Sequence, residues 1–209
     1  MKNQVDIILT HIKTHKLSYL IPILVIYLFI LPYSLYNSFM VTDNKEITYY
    51  MYLQKYLFIV LLFLIIPFLR NYIEGDLKEL LYSFCKQHKI VLVFYLYILT
   101  IIVLLPLFVI SLYIYKNCML YLAWLLVQIF IVYVLFFCIS LISYSILIGF
   151  GFIFIYTVYM NFINQTSSYF NLYRFFGFYD TSYVYFVGWI IVIIITVALS
   201  IIIEKSMKF

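Results

Sequence analysis

His11 and His15 stand four residues apart, the spacing with which an H-E-x-x-H helix presents two imidazoles to zinc. The intervening residues here are Ile12, Lys13 and Thr14, so the carboxylate that would activate a metal-bound water is missing. Two histidines beside lysines on a helix surface are the simpler reading, and no metal site is expected. Cys85, Cys118 and Cys138 lie 33 and 20 positions apart with no C-x-x-C pair, which gives neither a zinc knuckle nor a disulfide framework. The five glycines, at 75, 149, 151, 177 and 188, cannot build G-x-x-x-x-G-K-[ST], so the chain carries no P-loop for ATP. The sequence therefore reads as a non-enzyme with no cofactor of its own.

What remains chemically distinctive is a set of uncharged polar residues inside long apolar runs: Thr100, Gln128, Thr157, Asn161 and Thr196. Such residues either line a pathway or hydrogen-bond one helix to the next. No Asp, Glu, His or Arg falls near the middle of those runs. Proton- and sodium-driven transporters, like intramembrane metalloproteases, need such groups at that depth. A chain built this way would draw the energy for any uphill transport from another subunit.

The elements that hold these residues follow from composition. Of 209 residues, 67% are hydrophobic, 22% aromatic and only 10% charged, against about a quarter charged in a water-soluble domain. An all-α, polytopic membrane protein forming a single transmembrane domain over 1–209 is expected. The net charge of +5 is scattered in short polar islands, which points to topology and not to a nucleic-acid partner.

Charge-free intervals predict six spans at about 17–40, 51–69, 90–112, 119–139, 146–163 and 183–203. Pro32 and Pro106 should bend the first and third, and Lys55 should snorkel from the second. The fourth and fifth share one charge-free interval, 117–173, whose break is placed at Ser140-Leu-Ile-Ser143-Tyr-Ser145, with Gly149-Phe-Gly151 as the alternative. With six spans, Lys2, Lys13, Lys16, Arg70, Lys78, Lys86, Lys89, Lys205 and Lys208 share one side, against Lys45, Lys55, Lys116 and Arg174 on the other. The positive-inside rule then puts both termini in the cytoplasm.

Three segments outside the spans carry patterns of their own. Over 4–16, Val5, Ile8, Leu9 and Ile12 form an apolar stripe suited to a helix lying in the headgroup plane. Over 76–88, Gly75 turns the chain, Asp76 can cap a helix, and Glu79 three residues later completes a capping box. Leu77, Leu80, Leu81 and Phe84 then share one face. That face can rest on the membrane surface or in a groove on a cytoplasmic partner, and periodicity does not separate the two. The outer segment 164–182 concentrates Tyr169, Phe170, Tyr173, Phe175, Phe176, Phe178 and Tyr179, as an aromatic belt or a packed lid would.

The order of these parts, with Glu74-Gly75-Asp76-Leu77-Lys78-Glu79-Leu80-Leu81-Tyr82-Ser83 before the third span, resembles the membrane subunits of ATP-binding-cassette exporters of the ABC-2 type. In that family a Glu, a Gly and a Leu-Glu-x-Leu-Leu run stand at comparable places. The proline that usually follows is replaced here by Phe84-Cys85. The resemblance implies that 76–88 is a coupling helix docking into a separate nucleotide-binding ATPase through Glu74, Gly75, Asp76, Leu77, Glu79, Leu80, Leu81, Tyr82, Ser83 and Phe84. It implies that 4–16 is an elbow helix and that a second permease copy or a homologous permease completes the transporter. ATP and magnesium would be bound by the partner subunit. The cargo implied is an amphipathic peptide, such as an antimicrobial or phenol-soluble-modulin-like toxin, exported across a bacterial plasma membrane.

Two other classes stay open on the sequence. A membrane-bound immunity or assembly protein needs only the topology. A vitamin-binding subunit of an energy-coupling importer has a similar span count, although such subunits meet their partners through Ala-rich faces, and only Ala123 and Ala198 occur here.

Overall fold

The computed structural model describes residues 10–41, 45–74, 90–115, 119–162 and 183–206. Its regular structure is helical throughout: α1 (Lys16–Met40), α2 (Lys45–Ile73), α3 (Ile90–Ile114), α4 (Met119–Ser143), α5 (Ile146–Phe162) and α6 (Tyr183–Ser206). By length and composition, α1 to α4 are able to cross a membrane, while α5 and the apolar part of α6 described here are shorter. Residues 4–9 of the expected interfacial helix, the segment 76–88 and the outer segment 164–182 lie outside the described residues.

The helix ends follow local chemistry. Helix α2 starts at Lys45, ahead of the expected Met51, and runs past Leu69 to Ile73; Glu46 in its first turn and Arg70 in its last complement the helix dipole. Helix α1 passes through Pro32 without a break. A π-helical turn at Ile26–Ile30, in which the Leu31 N–H reaches back to the Ile26 carbonyl, shifts the register just before the ring. Helix α3 likewise continues through Pro106. Residues 10–14 are helical, and the chain breaks at His15 before α1 begins.

The break between α4 and α5 is tighter than expected. Ser140 and Ser143 are still helical, and the turn is Tyr144-Ser145, with Tyr144 in the left-handed region at φ 51°. The Ser143 hydroxyl holds this corner, donating to the Ile139 carbonyl at 2.8 Å and standing 3.0 Å from that of Ser145. Gly149 and Gly151, the alternative breakpoint, lie inside α5.

Burial separates core from periphery. In the most apolar stretch of each helix, 67% of α4 and 56% of α2 are buried, against 33% of α3 and 28% of α1. Helix α1 packs along α2, α3 along α4, α5 against both α4 and α2, and α6 against α4. The outward surface stays apolar, with Leu17, Leu28, Phe29, Val109, Leu147, Ile155 and Ile202 all exposed. Water would penalise that surface, whereas hydrocarbon would not.

Cross-helix contacts fix which ends meet. His11 lies against Phe68, and Glu74 reaches Ile146, so 10–15, the end of α2 and the α4–α5 turn share one end of the bundle. Tyr49 meets Ser111, and Ser38 meets Tyr115, at the opposite end. The helices therefore alternate in direction from α1 through α5.

Helices α4 and α5 approach closely at Gly149. A Cβ placed there would lie 2.0 Å from the Ser140 hydroxyl oxygen and 3.2 Å from the Ser140 Cβ. Gly149→Ala should lower the thermal midpoint in detergent by the equivalent of about 1–3 kcal/mol of overpacking. Ser140→Ala/Gly149→Ala should recover most of the loss, because the hydroxyl removed is buried and without a hydrogen-bond partner among the described residues.

Candidate functional site: the polar seam and the α2–α5 junction

The chemically able side chains collect in two places. The first is a seam of amides and hydroxyls between α2, α3 and α4. Gln54 Nε2 donates to Gln128 Oε1 at 2.7 Å, with the Tyr50 hydroxyl at 3.4 Å from the same oxygen. One helical turn or two deeper, the Thr100 and Tyr133 hydroxyls are 2.9 Å apart, and Tyr133 donates to the Leu61 carbonyl at 3.2 Å. Toward the other end, Tyr49 and Ser111 are 2.7 Å apart, as are Ser38 and Tyr115. Tyr27 on α1 donates to the Val103 carbonyl of α3, close to Pro106. These bonds stitch α1 to α3, α2 to α3 and α4, and α3 to α4.

This accounts for several residues singled out in the sequence. Thr100 and Gln128 are fully buried and face partners on neighbouring helices. Thr157 is buried with its hydroxyl returned to the Ile153 carbonyl at 2.7 Å. Thr196 donates to Val192 and offers its carbonyl to the Cys138 thiol at 3.2 Å, joining α6 to α4. Asn161 is in the last turn of α5. The seam unites Thr100 and Gln128 along α3 and α4, whereas Thr157 and Thr196 stand apart on α5 and α6. Gln54, Tyr49, Tyr50 and Tyr133 were not singled out, since among 24 tyrosines an interior one has no sequence mark. Gln54 beside Lys55 reads as part of a polar lead-in.

Among the described residues, two cavities open along α2. One, about 440 Å³, faces outward between α1 and α2 and is lined by Val25, Phe29, Ile30, Tyr33, Tyr56, Ile59 and Val60, next to the π-helical turn. Tyr33 meets the rings of Tyr52 and Tyr56 edge to face at its rim. The other, about 410 Å³, lies by Lys45, Glu46, Ile47, Tyr115 and Tyr121 at the α2 start.

The second place is the end of α2. Of the sequence-assigned docking residues, Glu74 alone is among the described ones; Gly75, Asp76, Leu77, Glu79, Leu80, Leu81, Tyr82, Ser83 and Phe84 lie outside them. Glu74 Oε1 accepts the Ile146 N–H at 2.6 Å, and its other oxygen is 3.9 Å from Arg70 Nε. On the adjacent side, His11 packs edge-on against Phe68 at 5.3 Å between centroids, stands 4.6 Å from the His15 ring and has its Nδ1 2.8 Å from the Tyr19 hydroxyl. Burial, and next the neighbouring His15, hold the His11 imidazole below its ordinary pKa. No group of three metal-ligating side chains occurs among the described residues.

Compared with family models, curated proteins and solved structures, the chain matches none of them.

Two outcomes follow from this geometry. Gln128→Leu strands the Gln54 amide without its acceptor and should destabilise the bundle by about 1 kcal/mol. The paired Gln54→Leu/Gln128→Leu variant should lose less, as thermal unfolding in detergent would read. Because the docked His11 resists protonation, the undocked form takes up the proton first as pH falls through the ordinary value of 6.5. Stability should therefore be full above that pH and decline below it, and His11→Phe should flatten that part of the thermal-midpoint profile.

Proposed function

We propose that the chain is a six-pass permease subunit of an ATP-driven exporter, with α1 to α6 as its spans and both termini in the cytoplasm of a bacterial cell. The segment Glu74–Phe84 engages a separate nucleotide-binding ATPase, which binds ATP and magnesium. The observation that carries this reading is the fastening of the helix end that precedes the segment. At Glu74 the end of α2 is held by the α4–α5 turn, and Phe68 near that end meets His11 of 10–15. Force applied at that point would reach α2 and the α4–α5 turn together.

The interior supports an external motor. The buried polar side chains of the described helices, Ser34, Ser38, Gln54, Thr100, Ser111, Gln128, Ser140 and Thr157, are all uncharged, so none of them can bind a driving ion by charge or relay a proton at neutral pH. The seam is also closed within one chain, which favours a cargo path formed between two permease copies and not through one bundle. The apolar, tyrosine-rich surface suits an amphipathic peptide more than a hydrophilic solute. ATP-driven rocking between inward- and outward-facing arrangements then moves the cargo.

The test is affinity purification of the full chain in mild detergent, with mass spectrometry for a Walker-motif ATPase. Leu80→Asp or Leu81→Asp should leave membrane insertion intact and cut ATPase recovery at least tenfold. Recovery equal to wild type would overturn the docking assignment.

A further inference from the structure

We infer that the recess between α1 and α2 is a binding site for one anionic phospholipid, whose phosphate meets Lys55 and whose acyl chain fills the recess. The inference needs α1 and α2 to cross a membrane and is independent of the exporter reading. Lys55 is exposed, on the same outward face of α2 as Met51, Tyr56 and Phe63. Among the described residues no carboxylate forms an ion pair with it. A 29-residue helix is about 43 Å long, against about 30 Å of hydrocarbon. Centred in that layer, α2 carries the Lys55 backbone about 8 Å below the boundary at the Lys45 end, so the ammonium has to reach up to an anion or draw one down.

The recess is graded in the way a lipid is. Tyr33 and Tyr56, with ring centroids 5.6 Å apart, stand at its shallow end, the end nearer Lys45. Because α1 and α2 run antiparallel, its deep end lies at Val25 and Val60, toward the bilayer middle. Lys55 precedes Tyr56 and stands one helical turn above Ile59, so the cation borders the same end as the two phenols. A phosphate held there directs its acyl chain down between apolar walls. Phe29 and Ile30 of the π-helical turn belong to those walls, so the recess coincides with the place where α1 departs from α geometry. Its volume, about 440 Å³, lies within the roughly 300–1,000 Å³ of small-ligand sites.

Charge selects the occupant. A zwitterionic headgroup would set its own cation beside Lys55, whereas phosphatidylglycerol brings only the anion. A second copy of the chain seated by the same face would bring two Lys55 side chains together in a poorly hydrated contact. An apolar peptide segment would bury the ammonium without a partner.

The test is native mass spectrometry of the full chain, titrated in mild detergent with phosphatidylglycerol or with phosphatidylcholine of identical acyl chains. Wild type should bind one phosphatidylglycerol about fivefold more tightly than phosphatidylcholine, the worth of one lysine facing an anionic headgroup. Lys55→Gln should erase that preference and Lys55→Arg should keep it. Ile59→Trp, which fills the recess, should weaken both lipids, while Leu147→Trp at an exposed position of α5 should change neither. Equal binding of the two lipids by wild type, or a preference that survives Lys55→Gln, would overturn the inference and leave an ordinary annular shell. Lipid binding untouched by Ile59→Trp would overturn it by placing the lipid elsewhere. A dimer that excludes lipid and is dispersed by Ile59→Trp would overturn it in favour of a second copy, and a wild type that binds neither lipid would leave the recess to a peptide.

Discussion

Hydrocarbon offers no hydrogen bonds, so each polar group a helix carries into it must find its partner inside the protein. The seam along α2, α3 and α4 meets that constraint. Gln54 and Gln128 satisfy one another across α2 and α4, and Tyr133 takes both Thr100 and a backbone carbonyl. Because lipid tails are as apolar as leucine, hydrophobic burial discriminates poorly between rival helix pairings in a bilayer. Directional bonds discriminate well. The seam makes α2 and α4 the centre of the bundle and leaves α1 and α3 more exposed to their surroundings.

The same constraint shapes the helix ends. A helix terminus near an interface carries unpaired N–H or C=O groups, and α5 solves this with a carboxylate borrowed from α2 rather than with a cap of its own. Economy of this kind has a structural consequence. The corner at Tyr144, the contact of Gly149 with Ser140 and the Glu74 bond lie together, so one end of the bundle is fastened across three helices. The His11 and Phe68 contact fastens the same end from the N-terminal side. At the opposite end, hydroxyl pairs join Ser38 to Tyr115 and Tyr49 to Ser111, with the Tyr49 and Tyr115 rings in contact, beside the cavity at Lys45.

How much of this was legible varies from residue to residue. The positions of the apolar helices could be read because a stretch free of charge is a local property, and the starts of α1, α3, α4 and α5 follow it closely. The Ser140–Ser145 cluster did mark the turn, at its C-terminal end: Ser143 holds the corner, while Ser140 stays within the helix and lies against a glycine. Pro32 marked the region where the helix departs from regular α geometry, and the π-helical turn at Ile26–Ile30 that precedes it has no mark in the sequence. The pairing of Thr100 with Tyr133 could not be read, because among the described residues tyrosines stand both at the surface, as Tyr33, Tyr36 and Tyr113 do, and in the core. Glu74 attracted notice through its neighbours in sequence, while its partner Ile146 is an isoleucine like many others.

Sequence alone determined the helical class, the location of the long apolar runs and the lack of ionisable groups near their middles, since each depends only on which residues are adjacent. Tertiary structure alone decided which face of each helix turns inward and which polar groups meet. A helix that is apolar on every side has no stripe to announce its inward face. Its rotation is set by partners on other helices, such as Gln54 for Gln128 and Glu74 for Ile146, that come together only when the bundle forms.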